Sequence, residues 1–323
     1  LAAGISLFML LAASPFAIQV IRHWDITSGS ERQLRLERLT YLFSTLVAFV
    51  CIIQILAALL FVFNADKMSV MFVGAMCAVG ALNVNDFGFP ALYAQLALFF
   101  LAALWLALNH ADSRARDYPL VKLKYALLLA AIPLFALSLT LQLQYFLGLK
   151  ADVITSCCGS LFSADVPTLA SEVSALEPKP ALLTFYGTLI AAIGLAGWHW
   201  QRRDNLSGAA TGLAALGAFV AAIAGILAFV SLYIYEHPHH HCPFCILKPE
   251  YDYQGYGLYI PLFAAAAAGM SAGVLRLFAG HPSLAPVIPA VTQRLAAVAA
   301  IGFALFLIVA SIMIWHSNLI LLE

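Results

Sequence analysis

Charge is what this sequence has least of. Only 10% of its 323 residues are charged, against about 25% in a soluble domain. Its 16 Lys and Arg balance 16 Asp and Glu to a formal net charge of +0, so no bulk field marks it for nucleic acid. No Gly-rich phosphate loop and no dinucleotide fingerprint occurs, which removes the common nucleotide-binding frameworks. Asp, Glu and Lys are missing from the centres of the apolar runs, which argues against a proton-driven pump or an ion carrier. The order Cys-x-x-Cys-His never occurs, so covalent haem attachment is excluded. His110, His199 and His316 lie near the ends of apolar runs but fall on different sides of the expected membrane, so they do not pair around a haem.

What fills the chain instead is apolar length, with 63% of residues hydrophobic. A membrane span takes about 20 such residues. Eight runs qualify: 1–21, 41–63, 91–109, 122–147, 181–200, 208–235, 256–279 and 294–317. The predicted fold class is therefore all-α: a polytopic bundle of about eight transmembrane helices, read as a single transmembrane domain over 1–323. Residues 1–21 lack a basic leading region and read as a span rather than a cleavable leader.

The basic residues set the expected orientation. Linkers 22–40, 110–121, 201–207 and 280–293, with the span ends beside them, hold twelve of the 16 Lys and Arg. The other side holds only Lys67, Lys150, Lys179 and Lys248. Excess basic residues stay in the cytoplasm. Linkers 64–90, 148–180 and 236–255 are thus expected outside, with both termini outside as well. In a bacterial inner (cytoplasmic) membrane this outer face is the periplasm. Five of the six cysteines fall in these outward linkers, where disulfides persist. Cys51, mid-span, reads as a small apolar filler.

The outward linkers differ in kind. Segment 68–82 is apolar but too short to span, and reads as a re-entrant or interfacial piece. The loop 148–180 carries adjacent Cys157 and Cys158, then helical spacing through Val166, Leu169, Val173 and Leu176 that predicts a short amphipathic surface helix. The run Ala264–Gly273 is almost all small residues, which predicts close helix packing. Pro133 is expected to kink the fourth span.

The strongest chemical signal is His-Pro-His-His-His-Cys-Pro-Phe-Cys at 237–245. Two thiols at Cys-x-x-Cys spacing either cycle between dithiol and disulfide or hold a soft metal. In the redox reading Cys242 is the nucleophile, activated by preceding histidines and by a helical turn starting at Pro243, with Cys245 resolving. In the metal reading His237, His239, His240, His241, Cys242, Cys245, Cys77 and Met76 are the candidate ligands, and thioether, thiolate and imidazole suit copper or another soft metal. A structural disulfide that pins a loop is the third reading.

The run Cys242-Pro-Phe-Cys245-Ile-Leu-Lys, leading into a Tyr- and Gly-rich span, resembles the quinone-linked disulfide-forming membrane proteins of the DsbB family and the related vitamin K epoxide reductases. The likeness covers roughly 30 residues. It implies that Cys242 and Cys245 pass electrons to a quinone, and that Cys157 or Cys158 exchanges with a periplasmic thiol partner. The chain departs from both families in its larger number of spans and in the Pro249-Glu250 after the motif. The metal reading implies a metal-handling periplasmic partner or a place as an accessory subunit of a larger respiratory membrane complex. In either case the lipid bilayer is the chain's main surroundings.

Overall fold

A computed structural model gives the architecture, and it describes residues 2–150, 153–155, 172–173 and 176–320. Among the described residues eight helices are long and apolar enough to cross a membrane. They are α1 (Ala2–His23), α2 (Glu31–Met68), α3 (Gly88–Asp112), α4 (Val121–Leu147), α5 (Pro178–Arg202), α6 (Asn205–Tyr235), α7 (Gln254–Arg276) and α8 (Ile288–His316). No strand occurs among the described residues, only one isolated parallel bridge between Val73 and Ile154. The chain is the all-α membrane protein expected from its composition.

The helix ends follow from local chemistry. Asp204 caps α6, its Oδ1 accepting from the Ser207 N–H at 2.7 Å, as an N-cap acid should. Pro178 opens α5, where its missing N–H costs nothing. α2 is the outlier in length. Its 38 residues extend about 57 Å at 1.5 Å per residue, nearly twice a bilayer's apolar thickness, so the charged turns from Glu31 to Arg38 continue the helix beyond the predicted span. α4 stays helical through Pro133.

The contacts fall into two compact units. The first comprises 1–63, 85–149 and 278–290. Its core joins α1, α2, α3 and α4 through Phe16, Val50, Leu98, Trp105, Tyr125 and Leu128. Phe16 stacks on Phe43 at 4.3 Å and meets Tyr125 edge-on at 5.5 Å. Cys51 is buried in this core, the apolar filler its position suggested. Gln54 donates to Gln95 across the interior.

The α3–α4 turn of this unit contains a polar clasp. Lys124 Nζ lies 2.7 Å from Asp112 Oδ2, with the two side chains only 2% and 0% exposed. Lys124 also donates to Asn109 Oδ1 at 2.8 Å, and Asp112 Oδ1 accepts from the Leu120 N–H at 2.7 Å. By sequence Lys124 counted only as one of the basic residues flanking a cytoplasmic linker.

The second unit comprises 64–84, 150–277 and 291–323. α6 packs between α5 and α7, and α6 and α7 approach closely through glycine. A Cβ on Gly212 would sit 2.9 Å from the Gly273 Cα, and one on Gly273 would sit 2.7 Å from the Gly212 Cα. Van der Waals packing drives helix association in lipid, and only hydrogen side chains permit this approach. The small-residue run in α7 does what its composition predicted. Tyr186 on α5 and Ser311 on α8 are hydrogen-bonded at 3.0 Å.

Removing one member of a buried ion pair strands the other charge. Lys124→Met should therefore destabilise the purified protein by about 3–5 kcal/mol, and adding Asp112→Asn should recover most of that loss. Thermal unfolding of the wild type and both variants in detergent would check this; a single variant as stable as the wild type would show the clasp to be inert.

Candidate functional site

The chain between α6 and α7 builds the site. α6 does not run as a plain α-helix to its end: residues Ile226–Val230 form a π turn, and α-helix resumes over Ser231–Tyr235. Glu236 then turns left-handed at φ 51 and ends the helix. The histidine–cysteine stretch follows as irregular chain, and a short 3-10 turn over Cys245–Leu247 precedes Lys248. Asp252 and Tyr253, at φ 52 and 55, reverse the chain into α7.

Irregular backbone between membrane helices needs partners for its carbonyls. Tyr235 O–H donates to the Cys242 carbonyl at 2.5 Å, and Tyr259 O–H donates to the Pro243 carbonyl at 2.6 Å. Tyr235 also stacks on His240 at 4.0 Å and meets Tyr251 at 4.6 Å. His241 Nδ1 lies 2.7 Å from the Leu227 carbonyl in the π turn. A carbonyl can only accept, so Nδ1 carries the proton and neutral His241 keeps its lone pair on Nε2.

Segment 64–84 supplies the other wall. After a 3-10 turn at Ser69–Met71 comes the short helix Ala78–Leu82, with all five residues buried. Thr155 fastens this segment: its N–H donates to the Val73 carbonyl at 2.9 Å and its hydroxyl to the Gly80 carbonyl at 2.9 Å. Gly74 has φ +86, and a Cβ there would fall 2.1 Å from the Thr155 carbonyl oxygen, so any side chain would break the crossing. Lys248 joins the two walls through Ser69 Oγ at 3.4 Å and Asp66 at 3.8 Å.

The result is a sulfur cluster. The Sγ atoms of Cys77, Cys242 and Cys245 all lie within 4.8 Å of one another, and Cys77 and Cys242 are 3.3 Å apart. That contact is non-bonded, since a disulfide is about 2.0 Å long. The three residues are 0%, 0% and 3% exposed. No histidine nitrogen among the described residues lies within 4.8 Å of all three sulfurs. His237 and His239 are exposed, as is Met76 at 67%, so these three do not share the cluster. Cys157, Cys158 and the predicted helix over 166–176 lie outside the described residues, apart from Glu172, Val173 and Leu176. Cys157 follows Thr155 by two residues.

The local electrostatics reverse an expectation. No helical turn starts at Pro243; the 3-10 turn begins at Cys245 with Phe244 before it, so Cys242 has no helix end to lower its pKa. Burial pushes the Cys242 thiol well above its usual range, with a hydrogen bond involving Cys245 adding to the rise. The neighbouring histidines do not supply positive charge, because burial lowers the pKa of both His240 and His241. Cys242 is thus a protonated, shielded thiol near neutral pH. In the sequence the tyrosines show only as part of a Tyr-rich neighbourhood, and Tyr235 and Tyr259 bind carbonyls 7 and 16 positions away.

Two outcomes follow for solution chemistry. In the folded, metal-free protein Cys242 should resist iodoacetamide near about pH 7 and react faster as pH rises, because a thiol with a raised pKa gains its thiolate only above the ordinary range. Tyr235→Phe leaves the buried Cys242 carbonyl unpaired, a loss of about 1–3 kcal/mol, and should raise the alkylation rate several-fold at unchanged pH. Mass mapping of alkylated peptides would read both, and fast labelling of the folded wild type near neutral pH would contradict them.

Compared with known proteins, the chain matches no protein-family model, no curated protein and no solved structure, and the reading of the site rests on its own geometry.

Proposed function

We propose that this integral membrane protein binds a soft metal ion through Cys77, Cys242 and Cys245, with the site toward the periplasm. One observation carries the reading: three buried sulfurs from segments 165 residues apart converge within 4.8 Å of one another. Buried thiols gain little from each other, whereas a soft cation displaces their protons and binds the sulfurs directly. A set of three sulfurs suits Cu(I). Zinc prefers four ligands, and for zinc Cys157 or Cys158 would supply the fourth. The exposed His237 and His239 sit on the loop that an incoming ion would meet first. The orientation follows from the basic residues, which leave the cysteine linkers on the outer face of a bacterial inner membrane. A metal-handling periplasmic protein is the fitting partner.

The Cys77–Cys242 contact of 3.3 Å favours a second reading, a thiol–disulfide relay that hands electrons to a membrane quinone. In that reading Cys77 attacks a Cys242–Cys245 disulfide, so the Cys77–Cys242 bond forms and Cys245 leaves as thiolate; a periplasmic dithiol then reduces the Cys77–Cys242 bond and becomes a disulfide itself, and the quinone takes two electrons and two protons from Cys242 and Cys245 as their disulfide re-forms. Burial of all three sulfurs speaks for the metal, since an ion passes through a smaller opening than a partner protein's thiol needs.

Protein purified under reducing conditions and loaded with Cu(I) should retain about one equivalent per chain. Cys77→Ser, Cys242→Ser and Cys245→Ser should each lower affinity at least about tenfold, while His239→Ala should leave it almost unchanged. Replacing Cys157 and Cys158 together should weaken zinc far more than copper. Absence of bound copper or zinc in the wild type, together with a mixed disulfide trapped by Cys245→Ser on a non-reducing gel, would transfer the assignment to the relay.

A further inference from the structure

The opposite end of the second unit holds a buried polar group that the thiol chemistry does not use. There α5 ends at Arg202, α6 begins at Asn205 and α7 ends at Arg276. His199 on α5 is 0% exposed and Arg276 on α7 is 7% exposed. Both lie over Gly208 of α6: a Cβ on that glycine would sit 2.3 Å from Arg276 Cγ and 3.2 Å from His199 Cε1. Glycine is the residue that leaves room for the two side chains there.

Each side chain is anchored on one edge only. His199 Nδ1 lies 2.7 Å from Ser207 Oγ, and Arg276 Nη2 donates to Asn205 Oδ1 at 2.8 Å. His199 Nε2, Arg276 Nε and Arg276 Nη1 are buried without a hydrogen-bond partner among the described residues. Neither ion pair found among the described residues involves Arg276. Asp204, the acid of this turn, spends its Oδ1 on the Ser207 N–H. A buried guanidinium without a paired counter-ion is costly, and Asp204, whose charge reaches Arg276 through space, makes no ion pair with it.

We infer that Arg276, its guanidinium held at Nη2 by Asn205, forms an oxyanion site that takes a phosphate group on Nε and Nη1. The guanidinium presents several N–H donors in a fixed plane that matches phosphate oxygens. The Ser207 hydroxyl donates to the Asp204 carbonyl at 3.1 Å, so neutral His199 donates from Nδ1 to Ser207 Oγ and Nε2 offers no N–H. Arg202 and Arg203 in the same turn raise the local positive potential. The site lies at the end of three spans, the depth at which lipid headgroups sit, and basic pockets between membrane helices hold such headgroups. The phosphate is therefore carried by a phospholipid headgroup or is free inorganic phosphate. The site is independent of the sulfur cluster: α6 and its 31 residues put about 45 Å of helix between the two ends.

The test is thermal unfolding of the full chain after delipidation by extended detergent exchange. Dioleoylphosphatidylglycerol, inorganic phosphate and dioleoylglycerol, which lacks phosphate, are titrated separately at constant ionic strength. A rise in melting temperature with the phosphatidylglycerol alone assigns a lipid headgroup, and a rise with inorganic phosphate assigns a free anion. Arg276→Gln should shift half-saturation upward by about tenfold or more. Should that variant not fold, Arg276→Lys, which keeps the charge and loses the planar fork, serves the same comparison. Wild-type protein that responds to neither phosphate source, that responds equally to dioleoylglycerol, or that responds no better than either variant overturns the site.

Discussion

Every carbonyl of an irregular chain placed between membrane helices must find a donor within the protein, because lipid offers none. In the second unit that requirement falls on three side chains. Tyr235 serves the Cys242 carbonyl, Tyr259 serves the Pro243 carbonyl, and His241 serves the Leu227 carbonyl. The positions of Cys242 and Cys245 follow from these bonds. Cys77 follows from a parallel arrangement, in which Thr155 ties down Val73 and Gly80 on either side of it. The sulfur cluster is thus a by-product of backbone satisfaction at two separate segments, and its geometry is as fixed as those hydrogen bonds are.

The same unit carries contrasting chemistry at the two ends of α6. One end gathers soft, neutral groups: thiols, tyrosines and histidines whose pKa burial lowers. The other gathers a buried arginine, a buried histidine and a capped helix start. The glycine contact of Gly212 with Gly273 lies about one turn in from the arginine end, and there α6 and α7 meet through backbone rather than through charge. This spares the apolar interior a charge and leaves reactive groups only where water or headgroups can approach.

Much of the architecture was legible because bilayer thickness imposes a length on each apolar run. All eight helices lie where hydropathy placed them, and the small-residue run Ala264–Gly273 reads directly as a close helix contact. Cys77, Cys242 and Cys245 were legible as one candidate set because they share the sparsely basic linkers. What was hidden depends on contacts distant in sequence. Nothing near Cys242 announces that its neighbours bury it, so His240 and His241 read as activating although burial lowers the pKa of both. Lys124 read as a flank residue, although Asp112, twelve positions earlier, accounts for its burial. His199 read as one of several span-end histidines, and Arg276 as one of the cytoplasmic charges. Their meeting over Gly208 needs three helices at once.

The π turn at Ile226–Val230 has a geometric consequence for the outer end of α6. A π turn accommodates one extra residue in the helix, and one residue corresponds to about 100° of rotation around the axis. Everything after Val230 is therefore out of phase with the face that α6 presents to α5 and α7 lower down. Tyr235 occupies its place against the loop because of that offset. In a helix of uniform pitch the same tyrosine would project a quarter-turn or more away, and the Cys242 carbonyl would face empty space. A single inserted residue thus acts as the phase setting of the whole thiol-bearing loop.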